Sequence, residues 1–195
     1  MFYEGTDDCS GNNNRIFHAT APNFSGPWTK QGMVQGLWGN LSGSGLSWPT
    51  AFIDNDQLYI FFTDGNVRLR AAKALNHYAH SFVMMNYDST KPFNESTNPK
   101  PVSPDLINRG QVVKIGQNYK LIHDNFGRTQ VKSSISNTPF NFPSGTVLFT
   151  TQNSTPAWEN LRVGLPSILI VNGEQRIYYT GEGSQGTGIG LTVLP

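Results

Sequence analysis

The sequence predicts an all-β protein, and three observations carry that reading. Charged residues make up only 14% of the 195-residue chain, while aromatic residues reach 12%; a helical or disordered chain carries more charge. The chain is also punctuated by 20 Gly and 12 Pro, the residues that set turns. Short apolar runs recur between turn signals about every 8–12 residues, and no long stretch has a helical period.

The elements follow from an internal repeat. Four segments pair an aromatic or aliphatic strand with a small polar end: Phe2-Tyr3-Glu4-Gly5, Phe61-Phe62-Thr63-Asp64, Leu121-Ile122-His123-Asp124 and Tyr178-Tyr179-Thr180-Gly181. Counted at Tyr3, Phe62, Ile122 and Tyr179, they stand 59, 60 and 57 residues apart. Upstream of the last three lies another apolar strand, WPTAFI from Trp48, RGQVVKI from Arg109 and LPSILIV from Leu165. Each closes on a polar turn (DNDQ, GQN, NGEQ). Downstream comes a third strand, within RIFHATAPNFSGPW, VRLRAAKALN, TQVKSSISNTPFNF and TGIGLTVLP. A fourth is expected around residues 30–34, 82–87 and 145–151.

Four antiparallel strands repeated at nearly constant spacing are the signature of a β-propeller blade. A β-sandwich with similar hairpins is the alternative. The expected organisation is one domain over 1–195, with blades at about 1–40, 41–100, 101–155 and 156–195. They would carry three, four, four and three strands, which makes about four blades or an incomplete five-bladed ring. Open strand edges favour pairing between molecules, hence a homo-oligomer that completes them.

Composition excludes several classes. Net charge is +1 without a Lys/Arg run, so nucleic acid is not an expected partner. No apolar stretch approaches the ~18 residues that span a membrane, and no signal peptide is visible; the compartment stays open. Cys9 is the only cysteine, which rules out an intrachain disulfide, and Asp7 and Asp8 beside it raise its pKa and make it a poor nucleophile. The four histidines (His18, His77, His80, His123) lack metal-ligand spacing, so no metal or cofactor is expected. Sequons at Asn23, Asn40, Asn94 and Asn153 read as chance in an Asn-rich chain.

FYEGTD followed by RIFHATAPNFSGPW resembles the blade hairpin of the five-bladed propeller glycosidases: the arabinofuranosidase and xylosidase families, the sucrose- and fructan-processing families, and the mannoside phosphorylases. The resemblance implies a carbohydrate-active protein, a glycoside hydrolase acting on a plant, algal or microbial poly- or oligosaccharide. It also implies three carboxylates on innermost strands: a base or nucleophile, an acid, and one that tunes the acid. The matching positions here are Trp48 before Pro49, Asn108 or Arg109, and Leu165 before Pro166, and none is acidic. The first blade is expected to lack its inner strand, and that acid with it. A glycan-binding propeller that lost its acids is therefore the alternative, and a purely structural propeller a third reading.

In a propeller, residues just after second strands and just before inner strands share one mouth. Second-strand ends supply Glu4, Asp7, Asp8, Asp64, His123, Asp124 and Glu182; inner-strand starts supply Trp48, Asp105, Asn108, Arg109, Trp158, Glu159 and Arg162. Asp64, Asp124 and Glu182 hold similar places in successive copies and are the candidates for acid/base work, since crowding raises a carboxyl pKa. Turn chemistry is the competing account, strongest for Asp64-Gly65. His123 adds a second titratable group beside Asp124. Trp48 and Trp158 offer faces for sugar stacking or core packing. Arg109 and Arg162 offer forked donors to a sugar or to a mouth acid. Glu4, Asp105, Asn108 and Glu159 complete the candidate sugar-binding set.

Overall fold

The computed structural model describes residues 1–6, 13–37, 45–76, 80–92, 94, 97–151 and 157–194. Asp7, Asp8, Cys9, His77 and the sequons at Asn40 and Asn153 lie outside the described residues. The chain divides into two compact units, Met1–Val102 and Ser103–Pro195.

Unit 1 holds two antiparallel sheets. The first is β1 (Phe2–Gly5), β2 (Arg15–Thr20) and β3 (Thr29–Met33) in the order β1-β2-β3. The second is β4 (Ser47–Asp54), β5 (Gln57–Thr63), β6 (Leu69–Ala74) and β7 (Phe82–Met84), again in chain order. Unit 2 repeats the plan with β8 (Ile107–Ile115), β9 (Asn118–Asn125), β10 (Gln130–Ser136) and β11 (Thr146–Thr150), then β12 (Arg162–Val171), β13 (Glu174–Gly183) and β14 (Gly186–Leu194). The expected three, four, four and three strands are thus all present, each sheet a simple meander. No helix among the described residues is long and apolar enough to cross a membrane.

Each unit buries a core between its sheets. In unit 1, Ile16, Val34, Ile60, Phe62, Ala72 and Phe82 form one cluster. In unit 2, Ile122, Val131, Ile168 and Ile177 do so, with Val113 and Phe149 packed against them. Ile60 to Thr63 and Tyr119 to Asp124 are buried without a break. Those strands are covered on both faces, so Ile60-Phe61-Phe62 runs apolar without alternation, while the second run buries Lys120, His123 and Asp124 along with its apolar residues.

One irregularity recurs at the start of every inner strand. Pairing skips between Ser47 and Thr50, between Ile107 and Gly110, and between Gly164 and Ser167. Each skip is a bulge of two residues: Trp48-Pro49 opposite Phe62, Asn108-Arg109 opposite Asp124, and Leu165-Pro166 opposite Tyr179. Proline is tolerated there because a bulge releases a ladder N–H. The bulges correct the repeat register. Asp124, rather than Ile122, is the counterpart of Phe62 and Tyr179. Asp64 lies two residues beyond that point and Glu182 three, so the three acids do not hold equivalent places.

Candidate functional site

Acidic side chains at second-strand ends are tied to these bulges. Trp48 and Leu165 take left-handed backbone angles, φ 56° and 50°, at a cost of roughly 1–3 kcal/mol for a bulky residue. The Trp48 N–H donates to Glu4 Oε2 at 2.8 Å, and the Leu165 N–H donates to Asp124 Oδ2 at 2.9 Å. Hydrogen bonds to a charged group contribute about 1.5–3 kcal/mol, enough to hold the strained turn. In unit 2 the same carboxylate also accepts from the Arg109 N–H at 2.7 Å and from Asn108 Nδ2 at 3.2 Å. Asp124 thereby fastens the bulges of β8 and β12 together.

Of the expected residues, Glu4, Trp48 and Asp64 belong to unit 1. Asp64 is fully buried. Its Oδ2 accepts from Arg70 Nε at 2.9 Å and Nη2 at 2.8 Å, and its Oδ1 accepts from the N–H groups of Asn66 and Arg68. Arg70, also fully buried, donates in addition to the Pro99 carbonyl. This is an ion pair that closes a turn and pins the segment after β7, and it gives the Asp64 carboxylate a structural job without a ligand.

The remaining candidates gather in unit 2. Asp124 is buried, and that burial pushes its carboxyl above the usual range; three hydrogen bonds and the Arg128 charge pull the other way without cancelling it. His123 beside it is buried too. Its Nδ1 sits 3.2 Å from the Asp124 carbonyl oxygen. Its Nε2 lies 3.3 Å from Asp105 Oδ2 but is not aligned for a hydrogen bond. Burial holds the imidazole below the ordinary histidine range, against the Asp124 backbone contact and the Asp105 charge. Asp105 Oδ2 accepts from the Gly145 N–H at 2.8 Å, which ties the loop before β8 to the start of β11.

Glu182 is the most exposed acid of this group, its side chain 29% exposed against 16% for Asp105. Arg128 Nη2 meets Oε1 at 2.7 Å, and Arg162 Nη1 meets Oε2 at 3.4 Å. Arg128, in the β9–β10 turn, was not legible as a site residue, yet it is central. It takes φ 54° and its Nη2 also donates to Thr180 Oγ1 at 3.1 Å. A Cβ on Gly164 would lie 2.6 Å from Asp124 Oδ2 and 3.1 Å from Arg128 Nε. Glycine there lets carboxylate and guanidinium close over the bulge.

Trp158 and Glu159 form a neighbouring packing unit. The Tyr179 hydroxyl donates to Glu159 Oε2 at 2.8 Å, and the Trp158 ring stacks on Tyr179 with centroids 6.4 Å apart. Burial first, then the Glu159 bond and charge, push the Tyr179 hydroxyl up to about 12. Trp158 fills the space left by Gly181 and Gly188, where added Cβ atoms would approach its ring to 2.4 and 3.0 Å. Its half-buried ring is thus held edge and face. Arg70 carries a legible signal, a guanidinium among small or apolar buried residues in the strand LRAAKA, whose other charge, Lys73, is only part-buried; Arg128 carries none. Among the described residues no group of three or more His, Cys, Asp or Glu is placed to hold a metal.

No protein-family model matches the chain, and no curated protein does. Solved structures do. A GH43_1 enzyme from Xanthomonas citri, solved with xylotriose, aligns with 100% of the chain at a TM-score of 0.65 and 13% identity, the chain covering 64% of it. An exo-1,5-α-L-arabinanase from a bovine ruminal metagenomic library aligns with 94% of the chain at a TM-score of 0.63 and 11% identity, with 66% of its length covered. An α-L-arabinanase mutant from Cellvibrio cellulosa aligns with 99% at a TM-score of 0.65 and 14% identity, with 68% covered. The chain spans about two thirds of the length of these structures. With its four meandering sheets, the chain has the fold of a partial β-propeller, similar to the five-bladed propellers of these glycoside hydrolases.

Proposed function

We propose that the chain is a carbohydrate-active protein that takes an oligosaccharide or polysaccharide at the strand ends of unit 2. The observation that carries this reading is the part-exposed Glu182 held between two guanidiniums, one of which, Arg128, also bears on the buried Asp124, on a fold shared with enzymes one of which was solved with xylotriose. Carboxylates and guanidiniums at a strand end are the groups that grip vicinal hydroxyls. As a glycoside hydrolase, the chain would use Glu182 for proton transfer. A second carboxylate roughly 5–9.5 Å away would be required, the separation setting the stereochemical outcome.

A second reading, glycan binding without turnover, draws on Asp64 and Asp124. Both carboxylates are buried and committed to backbone N–H groups, which suits structural duty better than proton shuttling. One preparation separates the two: a reducing-sugar and chromogenic-glycoside screen run beside a glycan array. Turnover lost in Glu182→Gln supports the hydrolase. Binding without turnover supports the second reading, and silence in both rejects the sugar reading. Pairing of open sheet edges between molecules remains part of the proposal, and the molar mass in solution tests it.

A further inference from the structure

Glu182 does not exhaust the two guanidiniums that hold it. Each meets a single carboxylate oxygen through a single nitrogen, Arg128 through Nη2 and Arg162 through Nη1. Neither contact is the two-pronged fork that satisfies both edges of the group. The Arg162 side chain is 55% exposed, and its bond to Glu182 is long at 3.4 Å. Arg128 shares its Nη2 between Glu182 and Thr180 Oγ1, and its Nε is shut away from solvent with no acceptor. Asp124, the other nearby acid, turns both oxygens to the Arg109 and Leu165 N–H groups and to Asn108. The strand end thus presents guanidinium donors in excess of the protein oxygens that face them.

We infer that this strand end selects glycans bearing a carboxylate, those containing uronic acids, over neutral ones, with Arg162 as the principal contact and Arg128 behind it. The inference rests on the carbohydrate reading above and names its substrate class. A uronate carboxylate is planar and matches the exposed edge of Arg162, whereas a hydroxyl pair offers weaker, uncharged acceptors. Glu182 stays in place as the group that keeps both guanidiniums oriented.

The test is calorimetric titration of the full chain with trigalacturonate and with a methylglucuronoxylan oligosaccharide, each against its methyl-esterified form, plus a panel of neutral xylo- and arabino-oligosaccharides. Esterification removes the charge and leaves the sugar. The acid form of at least one ligand is expected to bind about tenfold or more tighter than its ester, with an advantage that shrinks as salt rises. Arg162→Gln, at an exposed position, should bring the ratio close to one while leaving the melting temperature in place. Equal affinity for acid and ester overturns the inference, as does an unchanged ratio in Arg162→Gln. Binding confined to neutral oligosaccharides overturns the inference alone; no binding in any arm overturns the carbohydrate reading with it.

Discussion

Replacing Asp64 separates structural duty from catalytic duty at that residue. In Asp64→Ala the Arg70 guanidinium keeps only the Pro99 carbonyl among the contacts described above, and it stays fully buried. The N–H groups of Asn66 and Arg68 lose their carboxylate acceptor as well. Removing one partner of a buried ion pair costs about 3–5 kcal/mol, because the other charge stays desolvated. For a chain of this length each kcal/mol shifts the melting temperature by roughly 2–4 °C, so a fall on the order of 6–20 °C is expected by circular dichroism. Urea unfolding should show the same loss as a lower midpoint. The double change Asp64→Leu with Arg70→Met should recover part of it, since an apolar pair of similar volume removes both charges together. If Asp64→Ala melts within a few degrees of the parent, the carboxylate is not a structural anchor. Turnover lost at undiminished stability would then restore it as a proton-transfer candidate.

Three further outcomes follow from the same geometry. Burial lowers the His123 pKa in the folded state, so its contribution to stability is complete above the unfolded value near 6.5 and is lost as pH falls through the folded one. His18 shares that sign. The melting temperature should therefore drop from pH 7 to pH 5, less steeply in His123→Gln, and parallel curves for parent and variant would contradict this. Tyr179 should resist ionisation until about pH 12 in a 295 nm absorbance titration, and Tyr179→Phe, which withdraws the hydroxyl from Glu159, should cost about 1–3 kcal/mol. A Cβ at Gly181 would approach Trp158 Cζ3 to 2.4 Å. Gly181→Ala should accordingly cost about 1–3 kcal/mol by overpacking and red-shift the tryptophan emission, and an unchanged spectrum with unchanged stability would refute that packing.

What the sequence revealed and what it hid divide along one physical line, the difference between local pattern and long-range pairing. Turn dipeptides and apolar runs are local, so strand order and strand number could be read directly, down to β7 at Phe82–Met84 inside the expected 82–87. Register was misread by two residues in one copy, where Ile122 stood in for Asp124. A slip of two keeps every side chain on its own face of the sheet, so no hydrophobic pattern can detect it. Only the bulge opposite Asp124 fixes the count. The Pro that marks two of the bulges is missing from the third, Asn108-Arg109, leaving no local sign of it. The site suffered for the same reason. Glu182 stands out because a turn between two glycines has no need of a carboxylate, and Arg162 is legible as a donor to a mouth acid, but Arg128, 54 residues upstream of Glu182, has no local sign. Asp124 reads as a candidate for acid/base work from its place at a second-strand end in successive copies, with His123 beside it as a second titratable group. Folding instead aims its oxygens at the Arg109 and Leu165 N–H groups, 15 and 41 residues away. A carboxylate at a strand end is thus ambiguous until its acceptor geometry is known. Where two bulged inner strands need a common anchor, as β8 and β12 do, the buried acid serves the fold.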